Sequence, residues 1–161
     1  MNNISNLDLK GFMLKVIKDV FETMVSMDLE FSDPNPANKI YGNRIVGSVG
    51  LAGDVQGNVR IHVTEEFARV ITAAMLGMEL DEIEGEEEVH DVIGELSNMI
   101  SGGIKSRICD AGVNCNLSAP TITSGSDYEI ISQDCQICEQ LFFSNEDDNT
   151  ALSEIAIKLN N

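Results

Sequence analysis

The first third of the chain carries a helical hydrophobic pattern followed by an alternating one. From Leu7 to Leu29, hydrophobic residues recur at intervals of three and four, which predicts a helix of about five turns with one buried face. Proline and polar residues in 32–38 predict an irregular connection. Hydrophobic positions between Arg44 and Val63 then alternate with polar or small ones, with Gly53 and Asp54 as a turn, which predicts a β-hairpin.

The middle of the chain returns to helical spacing twice. Thr64 suits the N-cap of a helix that ends near Gly77. Seven acidic residues between 79 and 88 follow, and we interpret this run as a solvated loop, because it lacks the ordered ligand spacing of a calcium loop. The last glutamates of this run lie at the start of the next predicted helix, where negative side chains stabilise the positive end of the helix dipole. A longer helix with one hydrophobic face is predicted from Glu87 to Asp110.

Alternation resumes in the last third of the chain and predicts three or four strands. They are expected at Val113–Ala119, around Tyr128 and Ile130, at Ile137–Phe143 and at Leu152–Leu159. This order of helices and strands predicts an α+β domain in which long helices pack on a largely antiparallel sheet. At 161 residues, the chain has the usual length of a single domain.

Charge narrows the classes of function. The sequence holds 27 acidic and 10 basic residues, for a formal net charge of −17. Such a surface repels phosphate backbones and anionic lipid headgroups, so we expect no direct binding to nucleic acid or membranes. The N-terminal residues do not resemble a signal peptide, and no apolar run is long enough to span a bilayer. We therefore expect a cytoplasmic protein.

The polar side of the third predicted helix carries the most informative pattern. At 100° per residue, Asp91, Glu95, Asn98 and Gly102 fall in one narrow stripe. A solvated face of an amphipathic helix would look similar. However, Gly94, Gly102 and Gly103 each cost the helix up to about 1 kcal/mol relative to alanine, and Asn98 also has a poor helix propensity. The glycines indicate close approach of another backbone or surface, and neither local preference nor core packing accounts for Asn98.

This stripe resembles the motif of the CheC, CheX and FliY phosphatases, which remove phosphoryl groups from the response regulator CheY in bacterial chemotaxis. The family motif is Asp or Ser, three residues, Glu, two residues, Asn and then a proline about 21 residues later. Asp91, Glu95, Asn98 and Pro120 match it, with 21 residues between Asn98 and Pro120. The stretches 50–53 and 74–77 also look like the CheX group.

The resemblance implies a single CheX-like phosphatase domain over residues 1–161, with a CheC-like fold and a homodimeric assembly. A second copy of the motif, common in CheC, would fall on the first helix. There, Asp19 and Glu22 have the right spacing but no asparagine follows, so one site per chain is expected. FliY is disfavoured because its additional flagellar-switch domain needs more residues than this chain has.

The implied activity is hydrolysis of the aspartyl phosphate on a phosphorylated CheY-type response regulator. In this hypothesis Asn98 orients the attacking water, and Glu95 pairs with a lysine of the regulator. Asp91 and Gly102 are expected to contact the partner, although Asp91 is equally well explained as a solvated residue. No cofactor of the protein's own is implied, because Mg²⁺ is expected in the regulator's site. The alternative is a non-catalytic module that binds a regulator or signalling complex.

Cysteine and histidine supply the remaining candidate chemistry. Cys135 and Cys138 form a CxxC pair that could join Cys109 and Cys115 in a zinc site or act as a redox pair. The wide spacing of the first two cysteines and the absence of a strand-to-helix context for the CxxC favour buried or incidental thiols. Neither histidine has a nucleophile signature beside it, so we interpret His62 and His90 as structural or exposed.

Overall fold

The computed structural model describes residues 4–33, 40, 42–126 and 135–159. In these ranges three α-helices pack on a largely antiparallel sheet, which confirms the predicted α+β class. The helices are α1 (Leu9–Val20), α2 (Glu65–Leu76) and α3 (Glu86–Asp110), and the strands are β1 (Glu30–Ser32), β2 (Arg44–Gly53), β3 (Val55–Thr64), β4 (Cys115–Leu117), β5 (Thr121–Gly125), β6 (Ile137–Ser144) and β7 (Thr150–Leu159). Short 3₁₀ turns occupy Ile4–Asn6 and Leu80–Glu82. None of the described helices combines the length and apolar character needed to cross a bilayer.

The sheet places the strands in the order β1-β6-β7-β3-β2, and both β4 and β5 pair with the remaining edge of β2. Every pair is antiparallel. The predicted hairpin is confirmed, with Ile45 opposite Val63 and Leu51 opposite Gly57. Strand β5 was missed because its sequence is mostly polar, and its pairing with β2 defines it. The strand predicted around Tyr128 lies outside the described residues.

The prediction for the first helix is wrong at its C-terminal end. α1 passes into a π-helical turn at Phe21–Val25, and Ser26 then adopts a left-handed conformation with φ of 56°. The Met27 N–H donates to the carbonyl of Phe21 across this turn, at 3.0 Å. The hydrophobic pattern continues past the helix end because Met27 and Leu29, in the segment before β1, also pack against the core. Hydrophobic periodicity alone therefore predicted a helix that extends beyond the observed end of α1.

An aromatic cluster fixes the π-helical turn to the rest of the domain. Phe21 lies with its ring centroid 5.5 Å from that of Phe143 in β6 and 6.1 Å from that of Phe67 in α2. All three side chains are fully buried. Aromatic pairs at these distances add about 0.5–1.5 kcal/mol each beyond the area that they bury. The cluster therefore joins the end of α1 to both the helical layer and the sheet.

Candidate functional site

The site is built on α3, a helix of 25 residues with three glutamates in its first turn. Glu88 accepts a hydrogen bond from the Glu84 N–H at 3.1 Å, which helps to define the start of the helix. The negative side chains there also complement the positive end of the helix dipole. Apart from half-buried Glu88, the acidic residues between 79 and 88 are exposed, as predicted for a solvated segment. The prediction placed the start of α3 within one residue of the observed position.

Small residues let α3 pack closely on two of its neighbours. A Cβ atom added to Gly103 would lie only 2.7 Å from Val16 Cγ1, so this glycine is where α3 meets α1. On the sheet side, a Cβ added to Gly47 in β2 would lie 1.9 Å from Ser97 Oγ. The Ser97 hydroxyl is buried and donates to the carbonyl of Ile93 at 2.7 Å. These two contacts fix the depth and rotation of the helix.

A third contact brings Pro120 to the helix. A Cβ added to Gly94 would lie 3.8 Å from Pro120 Cγ and 3.9 Å from Ile122 Cδ1, which is ordinary van der Waals contact. Pro120 directly precedes β5, and Ser118 just before it is fixed to β2: the Ser118 N–H donates to the Gly50 carbonyl, and Ser118 Oγ accepts from the Gly50 N–H. Proline offers no hydrogen-bond donor, so its place beside Gly94 supports a role in shaping this edge of α3.

The packing of α3 leaves the predicted stripe facing solvent. Asp91, Glu95 and Asn98 are exposed, and a Cβ added to Gly102 would meet no atom within 4 Å. Helix geometry spaces the Glu95 and Asn98 side chains about 5–6 Å apart at Cβ, within a stripe about 16 Å long. In the described part of the chain, the side chains of Glu95 and Asn98 form no hydrogen bond or ion pair within the fold.

The stripe is an exposed surface on one side of α3. It presents the carboxylate of Glu95 and the amide of Asn98 one turn apart, with Asp91 one turn before Glu95. Across the described ranges, no three His, Cys, Asp or Glu side chains come together as a metal site. The exposed side chains of the stripe are accessible to the surface of another molecule.

The first helix does not carry an equivalent stripe. Asp19 and Glu22 are both exposed, but Glu22 belongs to the π-helical turn, where the helical spacing changes. Directly after Glu22, the Thr23 hydroxyl donates to the carbonyl of Asp19 at 2.8 Å. The absence of an asparagine and the altered spacing both support the expectation of one site per chain.

The four cysteines form two separate pairs, which rules out a single site with four thiolate ligands. Cys138 lies in β6 and Cys115 in β4, and three strands of the sheet separate them. Cys109 Sγ lies 3.8 Å from the carbonyl oxygen of Cys115. Burial, together with the neighbouring Cys109, raises the pKa of the Cys115 thiol to about 11. That thiol is therefore protonated at neutral pH and unsuited to nucleophilic chemistry.

His62 has a structural role, as predicted. It is buried on β3 and pairs with Glu154 of β7, whose other carboxylate oxygen accepts a hydrogen bond from Gln140 Nε2 at 2.7 Å. Burial alone would raise the pKa of Glu154. The hydrogen bonds from His62 and Gln140 outweigh it and hold that pKa below the ordinary value of 4.5. His90 is half-buried in the first turns of α3.

Solved structures with the same architecture include CheC-like and CheX proteins. A CheC-like superfamily protein from Shewanella sp. PV-4 superimposes with a TM-score of 0.77 at 28% identity, covering 95% of this chain and 99% of that one. The CheX of a CheX–CheY–BeF₃–Mg²⁺ complex from Borrelia burgdorferi superimposes with a TM-score of 0.79 at 24% identity, covering 94% and 98%. These similarities define the class of the fold.

Sequence comparison assigns the chain to one family within this fold class. Residues 45–143 match the family described as chemotaxis phosphatase CheX, so the chain belongs to that family. A curated relative, the CheY-P phosphatase CheX of Thermotoga maritima, is 28% identical over 124 residues, which is 76% of each protein. The matched region includes the whole stripe on α3 and Pro120.

Proposed function

We propose that this protein accelerates hydrolysis of the aspartyl phosphate on a CheY-type response regulator, with Asn98 and Glu95 as its active groups. The observation that carries the proposal is the exposed stripe on α3, where a free amide and a free carboxylate lie one turn apart on a helix held by close packing elsewhere. Membership of the CheX family and the activity named for the Thermotoga relative support this assignment.

Asn98 is the group that we assign to the nucleophilic water. Hydrolysis of an acyl phosphate proceeds by in-line attack of water on phosphorus through a loose transition state, so the reaction needs positioning more than covalent help. A side-chain amide can donate one hydrogen bond and accept another from the same water. It is also neutral, whereas a carboxylate at this position would repel the phosphoryl oxygens. The exposure of Asn98 lets it reach into a partner's site.

Glu95 holds the two proteins in register through a charge-assisted contact with a lysine beside the phosphorylated aspartate. Being exposed, its carboxylate remains well hydrated before the regulator binds. Gly102 leaves open space at the end of the same stripe, where the regulator's surface can approach the helix. Asp91 contributes a polar contact at the other end.

The regulator supplies the rest of the site in this proposal. Its Mg²⁺ compensates the charge on the transferring phosphoryl group, which is consistent with Mg²⁺ in the Borrelia CheX–CheY complex. We further propose that the protein acts in the cytoplasm as a homodimer, as the family resemblance implies. Light scattering of the purified chain tests the homodimer. We expect a mass of twice 17.5 kDa, and a monomeric mass would contradict this part of the proposal.

A phosphate-release assay tests the activity. A CheY-type regulator is phosphorylated with a small-molecule phosphodonor, and its loss of phosphate is followed with and without this protein. We expect acceleration that is saturable in protein and abolished when EDTA removes Mg²⁺ from the regulator. Binding of the regulator without any acceleration would contradict the proposal and would select a non-catalytic binding module instead.

A further inference from the structure

The CxxC pair lies outside the proposed phosphatase site and is joined by a disulfide. Cys135 precedes β6 and is half-buried, whereas Cys138 lies within β6 and is exposed. Cys109 and Cys115, in contrast, remain free, with the Cys115 thiol buried and its pKa raised to about 11. The structure therefore contains one pair already at bonding distance with an exposed sulfur at Cys138, and a second pair whose Cys115 thiol is buried and protonated.

The residues between the two cysteines tie the start of β6 to the end of β7. The Gln136 N–H donates to the carbonyl of Ile157 at 3.0 Å, and Gln136 Oε1 accepts from the Leu159 N–H at 2.6 Å. β1 pairs only with the far end of β6, from Phe142 to Ser144. Within the described ranges, the stretch from 137 to 141 consequently has a strand on one side alone. A segment with so few backbone partners opens locally at low cost, so a covalent link there has a large local effect.

We propose that Cys135 and Cys138 form a reversible thiol–disulfide site, oxidised by small-molecule disulfides of the glutathione class, which controls how firmly β6 is held on β7. The exposed Cys138 thiolate attacks one sulfur of the oxidant, forms a mixed disulfide and releases one thiol. Cys135 then attacks Cys138 Sγ, forms the intramolecular bond and releases the second thiol. Two electrons pass from the protein to the oxidant, and two protons leave the protein's thiols.

Local geometry fits the reduced state as well. Cys135 Sγ lies 3.0 Å from the backbone oxygen of Ile137, which can accept a hydrogen bond from the thiol once the disulfide is opened. Reduction therefore leaves the half-buried sulfur with a partner, and neither state strands a polar group.

The test titrates the purified full-length chain in buffers of varied ratio of reduced to oxidised glutathione. Remaining thiols are alkylated under denaturing conditions and counted by intact mass. We expect a single two-electron transition between four alkylated cysteines and two. Retention of four alkylated cysteines in excess oxidised glutathione, or of two in excess reduced glutathione, would overturn the proposal. Concerted oxidation of all four would also overturn it.

Single variants identify the cysteines responsible. Cys135→Ser should leave Cys138 as a stable glutathione adduct, whereas Cys109→Ser, the control, should keep the two-electron transition with one alkylated thiol fewer. In the parent protein, amide exchange at Gln136 and Leu159 should slow about tenfold on oxidation, because the closed loop restricts local opening. Equal exchange rates in the two states would contradict the proposed effect on β6. None of these readouts depends on phosphatase activity.

Discussion

Gly102 and Gly103 are neighbours in α3 that meet different surroundings, and replacing each with alanine separates packing from function. A methyl group at position 102 enters open space, whereas one at 103 would lie 2.7 Å from Val16 Cγ1 and 3.1 Å from Val16 Cγ2. Both substitutions gain the same helix propensity, about 1 kcal/mol. That gain cancels when the two variants are compared.

The difference between the variants is therefore the cost of overpacking. Val16 is buried and β-branched, so it has few rotamers in a helix and cannot turn aside, which leaves movement of α1 as the response. Inserting a methyl into such a contact typically costs about 1–3 kcal/mol. Gly102→Ala should be stabilised by up to about 1 kcal/mol, and Gly103→Ala should be less stable than Gly102→Ala by about 1–3 kcal/mol.

Urea denaturation followed by circular dichroism measures these differences in free energy of unfolding, and thermal melting should show about 2–4 °C per kcal/mol. In regulator dephosphorylation, the more stable variant, Gly102→Ala, should be the one that is impaired. Gly102→Ala places a methyl on the proposed docking surface and should raise KM, whereas folded Gly103→Ala should keep the parent kinetics. A Gly103→Ala protein as stable as Gly102→Ala would refute the packing argument, and parent kinetics in Gly102→Ala would refute the docking argument.

Two further predictions concern the sheet. Gly47→Ala should destabilise the protein by about 1–3 kcal/mol, because the added Cβ would lie 1.9 Å from Ser97 Oγ. In a double-mutant cycle measured by urea denaturation, adding Ser97→Ala should recover part of that loss. Additive effects of the two substitutions would contradict the contact. The lowered pKa of Glu154 contributes stability that is present above the ordinary value of 4.5 and is lost as the pH falls through the folded-state value. Glu154→Gln should thus be less stable than the parent at pH 7. In thermal melts, the difference in melting temperature between the two proteins should shrink on acidification below pH 4.5. A difference that does not change with pH would contradict the role assigned to the carboxylate.

Much of the fold could be predicted because local patterns and tertiary packing agree over most of the chain. The periodicity of α3 and the alternation of β2 and β3 each follow the face that packs against the main core, so sequence and structure match closely there. Elements defined by their partners were harder to predict. β5 is a strand because β2 pairs with it, and the π-helical turn begins at Phe21, which packs between Phe67 and Phe143.

The stripe on α3 could also be predicted, since positions on a helix follow directly from residue spacing. The roles of the glycines could not. The three glycines of α3 were expected to mark close approach of another backbone or surface. Gly103 closely approaches Val16 and Gly94 is in ordinary contact with Pro120, whereas Gly102 faces open space. The disulfide was not expected either, because the sequence places the two cysteines near each other without showing whether their sulfur atoms meet.

The measurement that most directly tests the central claim compares Asn98→Ala with the parent in dephosphorylation of a CheY-type regulator. The Asn98 side chain is exposed and makes no hydrogen bond within the described part of the fold, so the variant should fold and melt like the parent. We predict that it still binds the regulator but accelerates phosphate release at least about 100-fold less than the parent, the scale expected for loss of a group that positions the nucleophile. Parent-level acceleration by a folded Asn98→Ala protein would contradict the account.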